Sequence, residues 1–182
     1  MSASTTARRI AILATDGFEQ AELEKPRDAL RQAGFAPQIL APKAGTIQGF
    51  NHTDPADTFD VDGTIADAKP EDYDAVLLPG GVVNADALRT DKDAQAFVQA
   101  ATGAGKPLAV ICHGAWLLID AGLVKGKTLT SWPSLQTDLR NAGATWVDEE
   151  VHEDNGWISS RKPDDIPAFN AALLKALGAS GG

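Results

Sequence analysis

Two short runs constrain the fold more than anything else in the chain: "AVLL" at 75–78 and "LAVI" at 108–111. Each is four consecutive apolar residues without polar alternation. A strand with one wet face alternates, whereas a strand covered on both faces reads as continuous apolar sequence. Such strands belong in a parallel sheet between two layers of helices, and the remaining segments supply both. "RRIAILATDG" (8–17) reads as a strand closed by an Asp-Gly turn, and "APQILAP" (36–42) as another. Between them "EQAELEKPRDALRQAG" (19–34) carries Leu23, Pro26, Ala29, Leu30 and Ala33 at helical spacing, with Gly34 as a stop. Pro26 is expected to end a helical turn or kink it.

From 43 to 70 the sequence turns polar, with short hairpin strands expected around Ile47 and Phe59-Val61. Downstream, helices are expected over 91–105, 114–126, 133–143 and 164–178, and strands over 73–81, 106–112 and 127–132. The segment 145–161 reads as a hairpin turning at Asp154-Asn155-Gly156, and "ASGG" at 179–182 as a frayed tail. Strands alternating with helices give an α/β sandwich of the doubly wound kind, with a mainly parallel central sheet and helices on both faces. No repeat or linker divides the chain, so one domain over 1–182 with a core at about 9–177 is expected.

Charge and cysteine content narrow the function. With 25 acidic against 16 basic residues the formal charge is −9, which opposes nucleic acid, and no basic stripe offsets it. The single cysteine forms no internal disulfide, which fits a reducing, cytoplasmic setting. The opening "MSASTTARRI" lacks a signal-peptide apolar run, and no run approaches the roughly 20 residues that span a bilayer. His52, His113 and His152 lie far apart and no second cysteine is present, so no metal site is expected. No phosphate-loop or dinucleotide glycine signature occurs, so no nucleotide cofactor is expected either.

In a doubly wound sheet, ligands sit outside the carboxyl ends of the strands. Three segments fall there: "TDGFEQ", "PGGVV" and "CHGAW". The last is the most specific. Val110-Ile111-Cys112-His113-Gly114 has the pattern of a strand turning abruptly into a helix at its nucleophile. A cysteine at a helix N-terminus gains thiolate character, although buried cysteines are often inert filler. His113 is a candidate acid/base group. Adjacent residues in a tight turn tend to diverge, so its backbone N–H is the easier role to defend. In "LLPGGVV" the glycines let the backbone approach a ligand, with N–H donors offered at Gly81 or Val82. Glu19 begins the first helix, where a carboxylate suits the dipole. Beside Cys112 it would titrate with the thiol as a coupled pair, useful as thiolate with neutral acid. His52 reads as a solvated loop residue and His152 as a surface one.

Taken together, "LLPGG", "AVICHG", "LTSWPSLQTDLRNAGATWVDEEV" and "NGWISSR" resemble the PfpI family of the DJ-1/PfpI superfamily, from about Arg9 to Leu177. The resemblance implies a flavodoxin-like, type 1 glutamine amidotransferase-like sandwich. It implies Cys112 as nucleophile, Glu19 as its acidic partner, His113 as neighbour, and oxyanion donors from Gly80, Gly81 and Val82. It also implies a homodimer or higher oligomer in which an acid, here Asp86, approaches a neighbouring subunit's histidine. Two departures stand out: Ala115-Trp116 where members often have proline, and a "GGVVNADALR" loop one residue longer than in peptidase-like members.

The activities implied are glutathione-independent glyoxalase, deglycase or intracellular peptidase, all in stress protection and all on a small carbonyl or peptide substrate. Each proceeds by thiolate attack on a carbonyl. The alternatives are a redox-sensing or chaperone-like protein using Cys112 oxidation, and a silent amidotransferase-like binding domain. A glutaminase would need a late histidine–glutamate pair, which "HEDNGW" does not offer.

Overall fold

The computed structural model describes residues 6–179; the N-terminal five residues and most of the "ASGG" tail lie outside the described residues. A seven-stranded sheet forms the middle layer. In chain order its strands are β1 (Arg9–Leu13), β3 (Ala36–Ala41), β6 (Gly63–Thr64), β7 (Ala75–Leu78), β8 (Leu108–Ile111), β11 (His152–Asp154) and β12 (Trp157–Ser160). They lie in the order β11-β12-β8-β7-β1-β3-β6. Every pairing is parallel except the edge hairpin β11–β12. The five strands β3-β1-β7-β8-β12 follow the 2-1-3-4-5 order of the flavodoxin-like fold, whose switch point falls between β1 and β7.

The unalternating runs do what their composition requires. Ala11, Leu13, Val76, Leu78, Leu108 and Val110 pack on one side, against α2 (Val82–Arg89), α3 (Lys92–Gly103) and α4 (Ala115–Asp120) through Leu88, Phe97 and Leu117. Ile10, Ile12, Ala75, Leu77, Ala109 and Ile111 pack on the other, against α1 (Gln20–Gln32) and α6 (Ile166–Ala176) through Leu23, Leu30, Phe169 and Leu173. Successive side chains on a strand face opposite ways, so apolar residues at every position fill two cores. Asp91 starts α3 by accepting the Ala94 N–H at 2.8 Å, and Asn155 and Gly156, with φ of 48° and 86°, make the tight turn between β11 and β12.

Several elements depart from the sequence-based expectation. The "GGVVNADALR" segment is a helix, α2, rather than a loop: Asn84, Ala85 and Leu88 give it a buried face too short for periodicity to reveal. Pro26 lies inside an unbroken α1, where its missing N–H removes one helical bond while its ring is buried. The helix expected over 114–126 contributes only Ala115–Asp120, and the one over 133–143 opens as a 3₁₀ turn before α5 (Gln136–Asn141). The strand expected over 127–132 is the two-residue β9 (Thr128–Leu129), which pairs with β10 (Thr145–Trp146) outside the main sheet. The polar 43–70 region folds as the hairpin β4 (Thr46–Asn51) and β5 (Asp54–Asp60), joined by the parallel β2 (Phe18–Glu19). That hairpin stands over the carboxyl ends of the central strands. No described helix is long and apolar enough to cross a membrane.

Candidate active site

The carboxyl ends of β1, β7 and β8 meet beneath the β4–β5 hairpin in a crevice of about 710 Å³. Cys112 lies in its floor, directly after β8, with φ of 62°. A non-glycine residue in the left-handed region costs on the order of 1–3 kcal/mol and persists only where its surroundings hold it. Here they do. Trp132 donates its backbone N–H to the Cys112 carbonyl at 3.2 Å. Gly114 lets the following turn press on β7, since a Cβ there would stand 2.8 Å from the Leu78 carbonyl oxygen. The strained turn aims the sulfur into the crevice while leaving Cys112 only 7% exposed.

The carboxyl group beside the sulfur belongs to Glu22, and Glu19 stands apart. Glu22 is fully buried in the first turn of α1. Its Oε1 accepts the Gly80 N–H at 2.8 Å. Its Oε2 is buried without an oxygen or nitrogen partner, and the carboxyl interacts with the Cys112 thiol. Burial pushes the Glu22 pKa up to about 8, against a downward pull from the Gly80 N–H. Gly80 is wedged between the two reactive groups: a Cβ on it would lie 2.5 Å from Glu22 Oε1 and 2.7 Å from Cys112 Cβ.

Glu19 ends β2 at the mouth of the crevice, where its carboxylate accepts the His52 N–H at 3.1 and 3.3 Å. The physical reason is helical phase. Glu22 shares the buried stripe of Leu23, Pro26 and Leu30, while Glu19 precedes the helix and faces the hairpin. The spacing 22, 26, 30 was the signal that could have found it. His52 is an exposed turn residue with φ of 59°, as the sequence reads it, and it also lines the crevice mouth.

Burial and the Glu22 charge push the thiol pKa up, and the backbone N–H groups of His113 and Gly81 pull it back down. The pair is therefore coupled. At neutral pH the carboxyl is protonated, which removes its repulsion of a thiolate and leaves an O–H able to donate to sulfur. The His113 imidazole also reaches the sulfur, with Nδ1 3.2 Å from Sγ, so the two neighbours do not diverge as expected. Its ring stacks on Trp132 with centroids 5.8 Å apart and meets Trp116 edge-on at 5.2 Å. This cage buries the imidazole and lowers its pKa, leaving a neutral base. Trp116, in the Ala115-Trp116 pair that replaces the common proline, is itself fixed: its indole N–H donates to Asp138 at 3.1 Å and Arg89 lies over its ring.

Among the predicted donors, the Gly80 N–H is taken by Glu22, whereas that of Gly81 points to the sulfur. Gly81 has φ of 90° and is crowded by the Gly17 carbonyl oxygen, 2.3 Å from where a Cβ would sit. Val82 opens α2 with its side chain at the crevice mouth. Asp86 is exposed on the same helix and does not line the crevice. Among the described residues, no group of three or more His, Cys, Asp or Glu side chains is placed to hold a metal ion.

A doubly wound, flavodoxin-like sheet with a strained cysteine at a strand-to-helix turn, backed by a buried acid and backbone donors, defines the class of fold to which the chain belongs. The chain belongs to the DJ-1/PfpI family, whose model matches residues 8–176. It is 41% identical over 173 residues to an uncharacterized protein of Staphylococcus epidermidis, covering 94% of this chain and 98% of that one. An uncharacterized protein of Staphylococcus aureus is 40% identical over 172 residues, covering 93% and 98%.

Among solved structures, a two-domain protein of Anabaena variabilis with DJ-1/ThiJ/PfpI-like and ferritin-like domains superposes with a TM-score of 0.91 at 34% identity. That match covers 96% of this chain, which spans about half (49%) of the two-domain protein. Schizosaccharomyces pombe DJ-1 shares the fold, with a TM-score of 0.81 at 21% identity over 92% of this chain and 90% of that one.

Proposed function

We propose that the protein is a cysteine-dependent stress-protection enzyme in which the Cys112 thiolate attacks the carbonyl of a small reactive aldehyde, as a glutathione-independent glyoxalase or deglycase. The observation that carries the reading is the setting of one sulfur. It is aimed into a crevice from a strained turn, against a protonatable buried carboxyl, two backbone N–H groups and a neutral imidazole. Filler cysteines have none of these neighbours.

The proton shared by Glu22 and Cys112 leaves a thiolate with a neutral acid. Sulfur adds to the aldehyde carbon, and the Gly81 N–H, together with the Glu22 O–H, meets the oxyanion. His113 moves a proton from the former aldehyde carbon to its neighbour, and water then releases a hydroxy acid. Peptide cleavage would begin with the same addition, which is why both belong to the reading.

The Cys112→Ser variant is expected to lose conversion of methylglyoxal to lactate without glutathione. Wild-type protein with no turnover above buffer overturns the glyoxalase reading, and casein cleavage measured on the same sample separates peptidase from glyoxalase. The same donors would also hold a sulfinate oxygen, which favours a redox-sensing role as second reading. A protein with no turnover of either substrate, whose thiol is oxidised by peroxide stoichiometrically and reproducibly, would support it.

The site belongs to a homodimer or higher oligomer in this proposal. Among the described residues no carboxylate bonds the His113 ring, and Asp86 is exposed on the helix beside the crevice. Sedimentation gives the oligomer size, and a strict monomer removes Asp86 from any neighbour's site.

A further inference from the structure

Asn84 is a polar side chain that the chemistry above leaves unused, although it is fully buried in the first turn of α2. Burying a primary amide costs free energy unless its donors and its acceptor are matched. Here all are matched. Its Oδ1 accepts the Thr15 N–H at 2.8 Å, and its Nδ2 donates to the Gly80 carbonyl at 2.9 Å and the Pro79 carbonyl at 3.2 Å. The partners fix the orientation of the amide, since a backbone N–H needs the oxygen and two carbonyls need the N–H groups. One side chain thus ties α2 to the β1–β2 turn and to the turn that follows β7.

The turn after β7 needs such a tie. Gly80-Gly81 is the only Gly-Gly pair among the described residues, and a peptide flanked by two glycines rotates at low steric cost. The preceding peptide is held separately, through the Gly80 N–H on Glu22. A trans peptide is planar, so its C=O and its N–H point in opposite directions. The Gly80 carbonyl and the Gly81 N–H belong to one such peptide. With the carbonyl held by Asn84, and at 3.3 Å by the Glu19 N–H, the Gly81 N–H faces the Cys112 sulfur. A flipped peptide would turn the carbonyl oxygen toward the sulfur and replace a donor by an acceptor.

We infer that Asn84 is a positioning residue: by holding the Gly80 carbonyl away from the crevice, it fixes the Gly81 N–H on the Cys112 sulfur. Asn84 does not itself line the crevice, so it acts through the peptide. The inference rests on the Cys112 thiolate of the proposed function and adds what orients its donor. The residue type follows from the partners. A carboxylate offers no donor to two carbonyls, and an apolar side chain leaves those carbonyls and the Thr15 N–H buried and unmatched. The two ends of the peptide are also linked. Negative charge on the sulfur strengthens the Gly81 N–H bond, polarises the peptide and strengthens the bond that Asn84 makes to its carbonyl.

The test reads the thiol without a substrate. Cys112 is the only cysteine, so the pH dependence of alkylation reports one group. Asn84→Leu nearly keeps the side-chain volume and adds no charge. Its thiol midpoint is expected to rise by about one pH unit above wild type, about a tenfold loss of thiolate below the midpoint, because a donor to the charged form is lost. Glu22 and His113 beside the sulfur, and Asp16, Glu19 and His52 at the mouth, are common to both proteins and cancel in the comparison. The denaturant midpoint is expected to fall as well, as it does whenever buried polar groups lose their partner. A folded Asn84→Leu protein with an unchanged thiol midpoint shows an asparagine that only packs, and overturns the inference.

Should Asn84→Leu fail to fold, the wild-type protein carries the test. Followed by NMR across a pH titration, the Asn84 side-chain amide and the Gly81 amide are expected to move together, at the midpoint that alkylation gives for the thiol. Asn84 amide protons that stay still while the thiol titrates overturn the inference. Neither measurement needs a substrate. Absence of turnover on every substrate tried therefore sinks the enzyme reading and leaves the role of Asn84 standing, whereas an unshifted thiol in an Asn84→Leu protein with full turnover does the reverse.

Discussion

The floor and the mouth of the crevice carry glutamates three residues apart that behave in opposite ways. Glu22, in the floor, is fully buried, bonded to the Gly80 N–H and raised to about 8. Glu19, at the mouth, spends its carboxylate on the backbone N–H of His52. They are close in sequence, yet one of them sits against the Cys112 thiol and the other lies at the entrance. The floor is over-determined: strain at Cys112, two crowded glycines and a caged imidazole fix the sulfur, the Glu22 carboxyl and the His113 ring. The mouth is built from exposed side chains on a hairpin and a short helix. In the proposed enzyme, chemistry is set where solvent is excluded, and choice of substrate where it is not.

The largest expected effect that sharpens this contrast is the pH dependence at Glu22. Its pKa is raised from 4.5 to about 8 in the folded protein, so the folded state favours the protonated carboxyl. The resulting stabilisation is fully present below pH 4.5 and is lost as pH rises through about 8. The shift corresponds to about 5 kcal/mol over that window. Urea unfolding at pH 5 and pH 8 should show wild type weakening and Glu22→Gln nearly flat. Turnover, which needs the neutral Glu22 acid, should fall as pH rises through about 8 and the carboxyl ionises, and this step should vanish in Glu22→Gln. A wild-type protein equally stable at both pH values would show that the floor does not hold a neutral acid.

Next in size is Gly80→Ala. The new Cβ would meet Glu22 Oε1 at 2.5 Å and Cys112 Cβ at 2.7 Å, with the Ile111 carbonyl oxygen at 3.0 Å behind it. The Glu22 oxygen ends a side chain held by the Gly80 N–H, and Cys112 Cβ and the Ile111 carbonyl are fixed to the backbone, so a loss of about 3 kcal/mol in stability is expected, measured by denaturant midpoint. Displacing sulfur from carboxyl should also cost on the order of 100-fold in turnover. Alanine tolerated with full activity would mean that the floor is loose and that the contrast with the mouth is one of exposure alone.

The sheet was legible because its signal is redundant. "AVLL" and "LAVI" are apolar at every position, and the positions sort cleanly into two cores. The place of Cys112 at the strand-to-helix turn was legible for a similar reason: strand, cysteine and glycine occur in consecutive residues. What escaped was information held in phase or contact. Glu22 is an acid on the buried face of a helix, a placement that residue type argues against until the Gly80 N–H and the sulfur are seen around it. Helix α2 has only two turns and no side-chain N-cap, so neither periodicity nor capping announces it. The His113 ring lies 3.2 Å from Sγ with Trp132 stacked on it, and Trp132 arrives from a separate segment after β9. Sequence order contains no trace of that convergence.

The smallest expected effect tests whether the two regions are coupled at all. The Glu19 carboxylate adds to the forces that raise the Glu22 pKa, behind burial, so removing its charge should make Glu22 easier to ionise. In Glu19→Gln the midpoint of the pH–rate profile should move down, by less than about one unit, because the two carboxyls interact across a partly solvated mouth. Added salt should shrink the wild-type-to-variant difference, as screening acts on the exposed partner. The direction is diagnostic. If Glu19 were the acid that exchanges a proton with Cys112, its replacement would abolish the midpoint; as a distant like charge, it only displaces it. An unchanged midpoint would separate mouth from floor completely, leaving substrate choice and proton chemistry independently tunable in this fold.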